Sequence, residues 1–175
     1  YEHNNSYTVD AEGKLLSLNI SETEELEAVV FTEDDVRLEY VNLSENPKLA
    51  EVSFGVALPR LKYLDLSECG LETMTFPTGF DGLEKAYLHK NQFSEIIFNG
   101  CCKEMILLDL SENKLESFYL CGGFDELLYL YLNNNQLKEI SFPKPPQKLE
   151  ILHLHGNHLE ALPANLLSFR ALKAL

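Results

Sequence analysis

Hydrophobic residues along this 175-residue chain fall in blocks that return every 22 or 23 positions. Leu61, Leu64, Leu66 and Leu71 return as Leu83, Ala86, Leu88 and Phe93, and the block opens again at Met105, Leu127 and Leu149. A fixed period of this size is the signature of a solenoid, in which each unit buries its apolar face against the next. Counting from the first apolar residue, places 1, 4 and 6 are apolar and the intervening places polar or aromatic. That stretch is too short and too alternating for a helix and predicts a strand. Stacked units align these strands in a parallel sheet with one face on the core. Places 11, 14 and 16 form a second apolar set, as in Leu71, Met74 and Phe76 or Leu137, Ile140 and Phe142, and predict short extended return legs. Phe31, Phe54, Phe76, Phe98 and Phe142 are expected to stack as an internal aromatic column. The first two units fit with one extra residue after the bend, which puts Leu26 and Leu49 at the apolar place.

Place 9 holds Asn46, Asn91, Asn113, Asn135 and Asn157, with Thr23 and Cys69 as substitutes. A tight bend at a strand end leaves backbone groups without sheet partners, and a buried amide serves them with donors and acceptors at once. The asparagines should therefore form a ladder along the stack.

Seven units open at Leu15, Leu38, Leu61, Leu83, Met105, Leu127 and Leu149, and a truncated eighth opens at Leu172. Residues 15–175 are read as the solenoid. Residues 1–14 are read as a capping hairpin: Tyr7 to Val9 and the run into Leu15 are strands, and Asp10 to Gly13 supplies turn chemistry. Pro143, Pro145 and Pro146 forbid helix on their leg, whereas 162–169, with Pro163 at a first turn, predicts a short helix. The open edge at Leu172 and Leu175 makes end-to-end pairing of copies plausible, and the sequence leaves the oligomeric state undetermined.

The pattern L-x-x-L-x-L-x-x-N-x-L, matched from Leu127 to Leu137 and from Leu149 to Leu159, resembles that of the leucine-rich repeat family. The resemblance covers about residues 15–175. It implies an α/β-type repeat solenoid, a horseshoe with a parallel sheet on the concave face and mostly irregular or short-strand convex legs. It also implies a non-catalytic module that binds polypeptides on that face. The repeat length and Leu162-Pro163 look like bacterial intracellular members. The stretch Tyr7, Asp10, Gly13, Leu15 is similar to the lead-in of leucine-rich repeat domains in Roco-type GTPases, although no phosphate-binding loop of the G-x-x-x-x-G-K-S/T kind is present here.

Charge narrows the partners. The net charge is −14, and residues 1–60 alone carry thirteen Asp and Glu against four Lys and Arg. Such acidity disfavours nucleic acid and anionic membrane surfaces and favours a partner with a basic patch. No apolar run is long enough to insert in a membrane. Of the four cysteines, Cys69 should be buried, adjacent Cys101 and Cys102 cannot easily bridge each other, and a Cys101–Cys121 bridge between neighbouring coils is one option. Without a cysteine-rich cap, free thiols and a cytoplasmic location are expected.

With places 1, 4 and 6 inward, places 3, 5, 7 and 8 face solvent on the sheet. The N-terminal half of that face reads as acidic and hydroxylic, with Ser44, Glu45, Asp65, Ser67 and Glu68. The C-terminal half carries Tyr87, Leu107, Tyr129, Tyr131, Ile151, His153 and His155. Tyrosines offer large, stiff contact area and recur at binding hot spots. The candidate partner-binding residues are therefore Tyr40, Tyr63, Asp65, Tyr87, His89, Leu107, Asp109, Tyr129, Tyr131, Ile151, His153 and His155.

No metal, cofactor or catalytic group is expected. His153 and His155 share one side of a strand, but His89 falls three strands away, too far to complete a zinc site. Ser111, Asp109 and His89 lie close on the face, yet an open sheet offers no oxyanion hole and does not exclude water. An extracellular adhesion or receptor fragment is the alternative reading, and a hydrolase a remote one.

Overall fold

A computed structural model describes residues 5–100 and 102–175. The apolar places build a long sheet ordered β1 (Ser6–Val9), β2 (Leu15–Asn19), β4 (Tyr40–Asn42), β6 (Tyr63–Asp65), β8 (Lys85–Tyr87), β10 (Leu107–Asp109), β12 (Tyr129–Tyr131) and β14 (Ile151–His153). From β2 onward every pair is parallel, with place 3 opposite place 3 and place 5 opposite place 5. β1 is the exception: it lies antiparallel on the outer side of β2 across a turn at Asp10. The Asp10 carboxylate accepts from the Glu12 and Lys14 backbone N–H groups, and Gly13 takes the left-handed conformation the turn needs. At the other end, Leu152 donates to the Ala174 carbonyl, so the final residues begin pairing with β14.

The return legs pair two by two: β3 (Ala28–Phe31) with β5 (Glu51–Phe54), β7 (Thr73–Phe76) with β9 (Glu95–Phe98), and β11 (Ser117–Tyr119) with β13 (Glu139–Ser141). Among the described residues there is no α-helix, only 3-10 turns at Glu33–Asp35 and Leu166–Ser168. The helical half of the expected α/β class gives way here, and the short helix expected over 162–169 is a single 3-10 turn at Leu166–Ser168. A coil of about 22 residues spends half its length on the strand and bend, and aromatic and β-branched residues on the way back favour extended chain.

Burial follows the register. Leu64, Leu66, Leu108, Leu110, Leu130 and Leu132 are fully buried, and so are Leu38, Leu61 and Leu127 at place 1. The aromatic column is shorter than the spacing suggests. Phe31, Phe54, Phe76 and Phe98 follow one another at 5.4, 5.7 and 4.8 Å between ring centroids. In the next coil the place belongs to buried Leu120, so the column ends edge-on against Phe124, and Phe142 packs on Phe169 instead.

The asparagine ladder holds each coil to the one before. Asn113 donates through Nδ2 to the carbonyls of Leu88, Leu110 and Ser111, while its Oδ1 accepts from the Phe93 N–H. Asn91, Asn135 and Asn157 repeat this pattern. At the substitute place, the Cys69 thiol donates to the Leu43 carbonyl at 3.2 Å.

The bend itself has a geometry the hydrophobic pattern does not announce. Place 8 is left-handed in every coil: Glu22, Glu45, Glu68, Lys90, Glu112 and Asn134 have φ between 53° and 57°, and Gly156 has 69°. In the first six coils this conformation aims the place-8 N–H at the place-7 carbonyl of the next coil, as in Glu112 to Asn133 and Asn134 to His155. The ladder offsets the local strain of about 1 kcal/mol or more that a residue with a Cβ meets there.

Candidate functional site

The long sheet keeps one face free of any covering layer among the described residues, and places 3 and 5 of each strand stand on it. Tyr63, Tyr87, Leu107, Tyr129, Tyr131, Ile151 and His153 are half-buried, Tyr40 and His155 exposed. The half-burial comes from mutual contact. Tyr40 stacks on Tyr63 at 4.6 Å with rings nearly parallel, Tyr63 leans on Tyr87 at 5.5 Å, and His153 meets Tyr131 edge-on at 5.1 Å and His155 at 5.7 Å. Stacked or T-shaped pairs of this kind stiffen a surface before anything binds it.

Place 7 departs from the expectation of an open hydroxyl row. Ser44, Ser67 and Ser111 are buried. Ser67 Oγ donates to Asp65 Oδ1 at 2.6 Å and Ser111 Oγ to Asp109 Oδ1 at 2.6 Å, and both serine N–H groups bond the same oxygens. Asn42 does the same for the Ser44 N–H at 2.9 Å. The acid or amide two residues before the serine thus closes the strand end, a local competition between side chain and ladder that short polar residues supply. Asp65 and Asp109 each keep their second oxygen toward the face. Asp65 Oδ2 accepts from the Tyr63 hydroxyl at 3.2 Å.

Asp109 Oδ2 lies 3.6 Å from His89 Nδ1, too long for a hydrogen bond. Ser111 therefore has a carboxylate, not an imidazole, as its partner, and the buried His89 Nδ1 atom makes no hydrogen bond among the described residues. The Ser–His–Asp order that a triad with an imidazole base on the serine would need is therefore not formed: the imidazole is the group away from the hydroxyl.

The face is electrically negative. Burial raises the phenol of Tyr87 above its ordinary pKa, and Asp65 and Asp109 push it the same way. Burial and Asp65 raise Tyr63; burial and Asp109 raise Tyr131. Glu68 is neutralised by Lys90 at 2.9 Å. Similar lysine-to-acid contacts join successive coils elsewhere, such as Lys138 with Glu116 and Lys173 with Glu150. His153 and His155 come together without a third ligand: the described residues hold no group of three His, Cys, Asp or Glu suited to a metal ion. Cys69 is a buried free thiol and Cys102 is buried; the option of a Cys101–Cys121 bridge lies outside the described residues. No helix among the described residues is long and apolar enough to cross a membrane.

A family model described as Leucine Rich Repeat matches residues 60–83. Among solved structures, the chain is similar to a leucine-rich repeat protein of Leptospira interrogans, with a TM-score of 0.50 and 18% identity over 90% of this chain and 53% of that one. It is similar to YopM from Yersinia enterocolitica WA-314, with a TM-score of 0.45 and 23% identity over 73% of this chain and 36% of that one. A plant ice-binding protein follows, at 0.36 and 22% over 96% and 83%. The structural likeness rests on the first, and the chain spans about half that protein's length. No curated protein matches the sequence. With its recurring motif and amide-tied stack of parallel strands, the chain has the fold of leucine-rich repeat proteins, and the family model marks one such repeat at residues 60–83.

Proposed function

We propose that the open face of the long sheet, as the concave wall of a leucine-rich repeat horseshoe, is a non-catalytic recognition surface for a polypeptide partner. The observation that carries this is the division of β12. Leu130 is fully buried, while Tyr129 and Tyr131 flank it on the face that no other layer covers. Packing the core does not require aromatic rings on the outer side of the strand, and such rings give binding energy at low cost in side-chain entropy. The acids on the same face suit a partner with basic groups near Glu45, Asp65 and Glu112 and an apolar anchor against Tyr87, Leu107 and Tyr129. A net charge of −14 speaks against nucleic acid as the partner. The buried free thiol of Cys69 fits a cytoplasmic protein.

The test uses polypeptides selected for binding from a display library. Their affinity is measured for the unmodified chain, for Tyr129→Ala with Tyr131→Ala, and for Ile97→Ser with Tyr119→Ser on the exposed return legs. The wall variant should remain folded and bind about tenfold or more weakly, with the return-leg variant unchanged. Loss confined to the return-leg variant would overturn the proposal.

A further inference from the structure

The place-5 lane of the long sheet alternates in chemistry. Asp65, Tyr87, Asp109 and Tyr131 are direct register partners on four consecutive strands. Adjacent strands lie about 4.7–4.9 Å apart, so the two carboxylates repeat at about 9.4–9.8 Å with an aromatic ring between them. Ring pairs on neighbouring strands of this face stay near that spacing, with Tyr40 and Tyr63 at 4.6 Å and, in the place-5 lane, Tyr131 and His153 at 5.1 Å.

A ligand that runs along the stack must match that repeat. In an extended β-strand the side chains on one side recur at about 6.8 Å, two residues on, and fall out of step. A polyproline II segment has three residues per turn and rises about 3.1 Å per residue, so its side chains recur on one side at about 9.3 Å. That spacing fits.

Both carboxylates have capacity left. Each spends Oδ1 on its own serine; Asp65 Oδ2 holds one phenol hydroxyl, and Asp109 Oδ2 faces His89 without a hydrogen bond. Carboxylates accept several donors at once. The competing cations on the face are Lys85, Lys90 and, when protonated, His89. Lys90 is held by Glu68, while Glu45 and Glu112 stand exposed on the negative side. Tyr87, with Tyr63 leaning on it, offers a ring over which the proline-rich stretch between two cations can lie.

Resting on the recognition face proposed above, we propose that the Asp65–Tyr87–Asp109 lane takes a polyproline II segment bearing Arg or Lys at every third position. One cation sits on each carboxylate and the intervening residues cross Tyr87.

The experiment compares fluorescently labelled peptides of equal composition and charge: four Arg-Pro-Pro repeats, four Arg-Pro pairs followed by four prolines, and four arginines followed by eight prolines. Equal charge removes general attraction to an acidic protein from the comparison. Anisotropy titration of the unmodified chain should show the every-third peptide binding about tenfold tighter than both others. Asp65→Asn with Asp109→Asn should abolish that preference. Asparagine is suitable because Asn42 already closes the same turn through its Oδ1, and an unchanged unfolding midpoint checks this. Equal affinity for the three peptides, or an unaltered preference in the folded double variant, overturns the inference. Should the double variant not fold, the peptide comparison on the unmodified chain decides alone. If Tyr129→Ala with Tyr131→Ala abolishes binding of library-selected polypeptides while peptide spacing makes no difference, the recognition face stands and this inference falls.

Discussion

Asn113 and Leu88 belong to successive coils, and the Asn113 side-chain amide donates to the Leu88 carbonyl at 3.0 Å. The same amide serves Leu110, Ser111 and the Phe93 N–H. Removing it strands several buried backbone groups that water does not reach. Asn113→Ala should lower unfolding free energy by about 2–3 kcal/mol, read from urea denaturation. Loss below about 0.5 kcal/mol would mean the ladder does not hold the coils.

Cys69 gives the stack an alkaline limit. Burial pushes its thiol up to about 11; the Asn46 N–H opposes this, and Asp65 and Glu68 add to it. The folded chain therefore keeps the proton after the unfolded chain has lost it. The resulting contribution is fully present below about pH 9 and disappears as pH rises toward 11, amounting to about 2 kcal/mol. Cys69→Ser removes this titration. Denaturation at pH 8 and at pH 10.5 should show unmodified chain and variant converging as pH rises; parallel curves would contradict the account.

Left-handed place 8 makes an opposite-sign prediction at one residue. Glu112 sits at φ 55°. Glycine there relieves strain of about 1 kcal/mol or more but adds freedom to the unfolded chain, for a net gain of about 0.5 kcal/mol. Glu112→Val, β-branched in the same conformation, should cost about 1 kcal/mol or more. A calorimetric melting temperature that moves the same way for both variants would contradict this.

The stack was legible in the chain because one constraint, burial of places 1, 4 and 6, repeats seven times and overrides local propensity. The two features that escaped the hydrophobic pattern are polar and local. Left-handed place 8 is signalled only by Asn134 and Gly156, since charged residues at the other coils conceal it. The turn-closing role of Asp65 and Asp109 is written in the acid-or-amide two residues before a serine, a spacing Asn42 and Ser44 share, but the same residues also read as open surface charge. The break in the aromatic column follows from a single substitution, Leu120, that a column drawn by residue type passes over. The absence of α-helix from the described return legs reflects extended-chain formers such as Val29, Val30, Ile96 and Ile97, together with the proline run from Pro143.

The wall itself is tested most directly by hydroxyl-radical footprinting of the chain alone and with a saturating library-selected polypeptide. Tyr63, Tyr87, Tyr129 and Tyr131 should lose reactivity on binding, with Ile97 and Tyr119 unchanged. Protection at Ile97 and Tyr119, with the four wall tyrosines as reactive as before, would contradict it.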